Sequence, residues 1–205
     1  PEKLGEFDVV LYSKPGILEG RHAGNPWVQE LPDPVSKVAW DNYAALSPAT
    51  ASRLGLSIGD VVRLETSTAN ETPVALELPI CIQPGQHDRV IAVAVGYGGI
   101  GTARFASVGP KWLFGGAEVG DDGRVGKNAA PWFRFVGGNL QFIRHAVKVN
   151  KTGSRHPLAS TQVHHTLTMP ENVPLIGGKH RAIVRETTLA ALMPGFQEGS
   201  RVMPV

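Results

Sequence analysis

The sequence predicts a mainly β domain with long glycine-rich loops and few helices, and three observations carry that expectation. Glycine (24) and proline (16) make up nearly a fifth of the 205 residues and fall between short apolar runs. In such places they turn the chain from one extended segment to the next. Several of the runs alternate apolar with polar residues, the period of a strand with one buried face. Helix signals are confined to two short segments, so the 42% apolar content must be buried mostly by strands.

The elements follow in chain order. Phe7–Leu11 reads as the first strand. A long loop from Leu11 to Leu31 carries Lys14, His22, Gly24, Asn25 and Trp27, and a short strand is expected at Lys37–Ala39. Ala45 to Glu65 is the most legible stretch. Ser47 is an N-cap, Pro48 sits at N1 where its missing donor costs nothing, and Gly55 supplies the left-handed stop. The helix is therefore Pro48–Leu54, with Ala51 and Leu54 on the face that covers a barrel opening. A Gly59-Asp60 turn then leads into a strand, Val61–Glu65. Val74–Ile82 and Arg89–Ala94 are further strands. A second long loop, Val95 to Trp132, is followed by strands at Phe133–Val136 and Ala146–Val149. Loops of that length are commonly functional. Thr187–Leu192 is the other helix signal, ended by Pro194-Gly195.

Near-balanced charge, 20 basic against 18 acidic side chains, gives no electrostatic case for a nucleic acid or an anionic membrane. No apolar run approaches the ~20 residues of a membrane span, and no signal-peptide pattern is present. A start at Pro1 instead of Met points to a chain cut from something longer. The single cysteine, Cys81, excludes an internal disulfide and a four-cysteine cluster within the chain, and its apolar setting reads as a small buried hydrophobe. His22, His87 and His145 lack the spacing that orients metal ligands together, and adjacent His164-His165 would point to opposite faces of an extended chain. Asp121-Asp122 lies in a Gly-Asp-Asp-Gly turn. Ser107, Ser154 and Ser160 sit in no nucleophile elbow. Gly153-Ser154 and Gly199-Ser200 fall in loops beyond the barrel, which argues against self-cleavage there. No catalytic residue and no metal ligand is assigned.

The short helix ending Leu54-Gly55-Leu56 and the Gly59-Asp60-Val61-Val62 strand resemble the C-terminal domain of molybdopterin oxidoreductases, in which a strand, such a helix and such a strand recur. The resemblance extends to the Gln83-Pro84-Gly85-Gln86 turn, Gly96-Tyr97-Gly98 and Val125-Gly126-Lys127-Asn128. This combination is similar to the molybdopterin oxidoreductase-like iron–sulfur subunit of bacterial alternative complex III. The resemblance implies a six-stranded double-psi β-barrel of the aspartate decarboxylase-like kind over residues 1–150. Residues 151–205 would form an extended arm towards an iron–sulfur domain. It implies a domain that supports quinol-to-acceptor electron transfer at the periplasmic face of a bacterial cytoplasmic membrane. Its partners would be other domains of the same polypeptide and respiratory-complex subunits, with no direct membrane insertion. The cofactor-binding candidates are Gly24, Asn25, Gly96, Tyr97, Gly98, Gly99, Lys127 and Asn128. Lys127 could neutralise phosphate there, and Tyr97 or Trp27 could stack on a ring. In this branch the pterin and its metal are expected to be lost, leaving the fragment without a cofactor and the site structural or vestigial. Two alternatives stay open: a genuine molybdopterin guanine dinucleotide-binding domain of a molybdenum or tungsten enzyme, and a non-enzymatic interaction module.

Overall fold

The computed structural model describes residues 7–66, 73–99 and 124–161. In chain order the strands are β1 (Phe7–Tyr12), β2 (Val38–Ala39), β3 (Ala44–Leu46), β4 (Asp60–Thr66), β5 (Ala75–Ile82), β6 (Val90–Ala94), β7 (Arg134–Val136), β8 (Asn139–Gln141), β9 (Ile143–Arg155) and β10 (Ala159–Ser160). Two α-helices, α1 (Pro26–Glu30) and α2 (Pro48–Leu54), and one 3-10 turn, Ala130–Trp132, lie between them among the described residues. Six strands close into a barrel in the order β1-β6-β3-β5-β4-β9. The pairs β1/β6 and β3/β5 are parallel and the remaining four antiparallel. The mainly β, closed six-stranded barrel expected from the sequence is the architecture found, and closure leaves these strands no open sheet edge.

Alternation decides which side chains fill it. In β1, Phe7, Val9 and Leu11 point inward, and in β4 Val62 and Leu64 are buried while Arg63 between them is exposed. They meet Leu46, Leu78, Ile80, Ile91, Val93 and Val147 in one core. The helix α2 has the predicted bounds and caps: Ser47 Oγ accepts the Thr50 N–H, and Gly55 adopts φ 63°. Ala51 is fully covered and Leu54 packs against the barrel core, so α2 closes off part of that core. Asp60 ends the following turn, accepting from the Ser57 N–H at 3.0 Å and from Lys151 Nζ at 2.8 Å.

Four features differ from the sequence reading. The sixth barrel strand is β3, whereas the expected strands near 38 and 134 pair outside the barrel, as β2 with β10 and β7 with β8. All three β3 residues are buried, so no alternation marks them. The first loop contains α1, capped by Asn25 and opened by Pro26. Finally, β9 is longer than expected, running from Ile143 through position 150 to Arg155, so Gly153-Ser154 lies in a barrel strand and not in a loop beyond it. It pairs with β1 up to Val147 and with β4 beyond it, and its register shifts where Ala146 takes φ 57°, a bulge that bends one strand into two partnerships.

The chain divides into two compact units, Pro1–Val163 and His164–Val205. The Thr187–Leu192 helix, His164-His165, Asp121-Asp122, Ser107 and Gly199-Ser200 lie outside the described residues. Among the described residues no helix is long and apolar enough to cross a membrane.

Candidate functional site

The rim segments singled out in the sequence meet at one place. A Cβ built on Gly98 would lie 2.5 Å from the Asn128 nitrogen, and one on Gly126 would lie 2.9 Å from the Tyr97 ring. The Gly98 N–H donates to the Val125 carbonyl at 3.0 Å. Gly96 abuts the first loop: its Cβ would sit 2.5 Å from the Gly20 nitrogen. Gly96 and Gly98 also have φ of 91° and 72°, so backbone conformation and close approach both require glycine. Tyr97, buried, packs with Ile17, Ala23 and Ala94.

Asn42, absent from the residues singled out in the sequence, ties these segments together. Its Nδ2 donates to the Ala94 carbonyl at 3.0 Å and the Lys127 carbonyl at 2.8 Å, and its Oδ1 accepts the Lys127 N–H at 2.9 Å. A buried amide with donors and acceptor all engaged fixes two loops at small cost. The available signal was Asp41-Asn42 interrupting the otherwise apolar run from Val38 to Leu46.

The remaining candidates are committed locally. Asn25 Oδ1 caps α1 by accepting the Trp27 N–H at 3.0 Å, and Asn128 Oδ1 accepts the Ala130 N–H at 2.9 Å. Lys127 is exposed, and Trp27 is turned to solvent. Gly24 and Gly99 each have interactions of their own. A pterin dinucleotide would need open space beside the glycines and unspent N–H groups. At Gly96 and Gly98 that space is filled by the chain's own backbone, and the Asn25 and Asn128 oxygens each accept a backbone N–H two residues on. At Gly99, by contrast, nothing described lies within 4 Å, so the filled space is that beside Gly96 and Gly98.

A second cluster lies beneath the rim. Lys14 is only 3% exposed. Its Nζ stands 4.3 Å from the Tyr43 ring centre and 5.2 Å from that of Tyr97, and it donates to the Asp41 carbonyl at 3.3 Å. Burial lowers its pKa to about 8, against the opposing pull of Asp33, Cys81 and Asp41. Burial likewise raises the Tyr97 and Tyr43 hydroxyls well above their usual range and Tyr12 to about 12. Asp41 is held by His156 Nε2 at 2.8 Å, and Asp33 Oδ1 accepts from the Val35 and Ser36 N–H groups. Cys81 sits behind this cluster with Val38, Tyr43 and Ala45, its thiol raised to about 11 by burial, in keeping with the expected small hydrophobe.

The three histidines have separate roles. His87 Nδ1 accepts the Arg89 N–H, His145 contacts Asp8 at 2.8 Å, and His22 is exposed. Among the described residues no group of three or more histidine, cysteine or acidic side chains is placed to hold a metal.

No protein-family model matches the chain, and no curated protein sequence does. Among solved structures, the chain is similar to acetylene hydratase from Pelobacter acetylenicus at 17% identity and a TM-score of 0.40. The similarity covers 69% of this chain and 18% of that one, so the chain spans less than a fifth of that protein's length.

Proposed function

We propose that this chain is a barrel domain of a respiratory molybdopterin oxidoreductase-like iron–sulfur subunit, of the alternative complex III type. It supports quinol-to-acceptor electron transfer as a structural element and retains the outline of a pterin site without the means to hold one. The observation that carries the reading is the contact of Gly98 with Asn128. It joins the Gly96-Tyr97-Gly98 and Val125-Gly126-Lys127-Asn128 segments, on which the family resemblance rests, beside a closed barrel. The iron–sulfur centres, redox partners and periplasmic setting would belong to the rest of the polypeptide and its complex. In this role the domain's residues do mechanical work: Asn42 locks the rim, and the barrel supplies a rigid body for neighbouring domains.

The test is the metal and pterin content of the undivided gene product purified from its native membrane. Iron with neither molybdenum nor tungsten, and no pterin fluorescence after acid extraction, is the expected result. Stoichiometric pterin with molybdenum or tungsten would replace this reading with a genuine cofactor-binding domain. An undivided product without iron–sulfur clusters or pterin would replace it with an interaction module.

A further inference from the structure

A cavity of about 200 Å³ opens between the first loop, α1 and residues 31–40. Its wall includes Lys14, Gln29, Asp33, Trp40 and Tyr97, with Ile17 and Val28 among the apolar members. Two of these polar groups are unusual for a wall. Gln29 is 2% exposed, and its Nε2 donates to the Ala23 carbonyl at 2.9 Å, which fixes the orientation of the amide. Its Oε1 is left buried with no hydrogen-bond partner. Native structures rarely leave such an acceptor unpaired, so it asks for an N–H. Lys14 supplies the opposite need: an ammonium with three donors, facing two rings and one carbonyl.

Charge narrows the chemistry. Two carboxylates, Asp33 in the wall and Asp41 with His156 on it, already stand near the Lys14 ammonium, so an anion would not meet an uncompensated cation. A cation would meet Lys14 itself. A neutral group with a carbonyl oxygen and an N–H on the same carbon meets both demands, and Trp40, Tyr97, Ile17 and Val28 suit an apolar or flat body attached to it. We propose that this cavity binds a small neutral carboxamide, its carbonyl oxygen towards Lys14 and its N–H towards Gln29 Oε1. Of the pterin candidates Tyr97 alone lines this wall; Gly98, Lys127 and Asn128 take no part in it, and neither Lys14 nor Gln29 is one of those candidates.

Three probes of similar size test it on the full 205-residue chain: benzamide, benzoate and benzylamine, titrated while the Trp40 indole and Tyr97 ring signals are followed by NMR. Benzamide should shift both signals saturably, and the other two should bind about tenfold more weakly or less, since each lacks one of the paired groups. In Gln29→Met, which removes the unpaired oxygen and keeps the length, benzamide should fall to the level of benzoate. Equal binding of all three probes, or no benzamide-induced shift at Trp40 and Tyr97, would overturn the proposal. If Gln29→Met does not fold, the ranking of the three probes on the native chain decides alone.

Discussion

The barrel core and the hairpin made by β7 and β8 carry the same alternating pattern and do opposite things with it. In β1 every second residue enters the core. In the hairpin Phe135 pairs with Leu140 across the strands, in line with Phe133 and Phe142, whose rings meet edge to face at 5.0 Å. Arg134, Asn139 and Gln141 alternate with these positions. Yet Phe135 is 79% exposed, and Leu140 and Phe142 are about two-fifths exposed, at 39% and 44%. Arg144 anchors the base of the hairpin through the carbonyls of Trp132 and Phe133, at 2.7 and 3.1 Å. A period of two therefore tells which side chains share a face, while closure of the sheet decides whether that face becomes a core. The hairpin has two strands and nothing described lies over it, so its apolar face stays at the surface.

The contrast can be broken most severely from inside the barrel. Leu64→Ala, at a fully buried position, should cost about 3 kcal/mol in urea unfolding, from lost burial and the cavity left behind. A loss below about 1 kcal/mol would mean that the barrel interior is not close-packed.

The rim should come next. Gly98→Ala should cost about 2 kcal/mol, because it combines positive φ with a backbone contact at 2.5 Å. Gly85→Ala also has positive φ, 86°, but meets nothing within 4 Å, and should cost about 1 kcal/mol. The difference between the two measures the close approach alone, and equal losses would show that the loops can part without penalty.

A smaller effect separates the buried cluster from both. Below pH 8 Lys14 is charged folded or unfolded. Between about 8 and its ordinary 10.5 the folded chain has released a proton that the unfolded chain still holds, so stability rises with pH. Cys81 acts the other way above pH 9.0, because the unfolded thiol ionises first. Across pH 8 to 9 the native chain should gain up to about 1 kcal/mol, and Lys14→Met should abolish that slope. A slope unchanged in the variant would assign it to another group.

The smallest change is expected on the hairpin. Phe135→Ser should leave the unfolding free energy within about 0.5 kcal/mol of native while lowering the binding of a hydrophobic dye. A large destabilisation would mean that this face is covered after all.

Much of the fold was legible because its signals are local. Ser47, Pro48 and Gly55 specify α2 by capping chemistry alone, and β1, β4, β5 and β6 announce themselves by composition and alternation. Asn25-Pro26 carries the same cap-and-proline signature as Ser47-Pro48, so α1 was legible too. The competing reading of Asn25 as a ligand contact hides it, because one side-chain oxygen suits either role. Three-residue β3 could not be read, since a strand buried on both faces and that short has no period to detect.

What the amino-acid order determined by itself is which residues can turn, cap or alternate, since each depends on neighbours within a few positions along the chain. Only the tertiary structure decided what those residues are for. Gly96 and Gly98 became contact points between loops, Asn42 a clamp across 85 positions of sequence to Lys127, and Lys14 and Gln29 the walls of one cavity. The physical reason is that hydrogen-bond satisfaction and exclusion of water are properties of a place in space, and distant segments must arrive there before either can act.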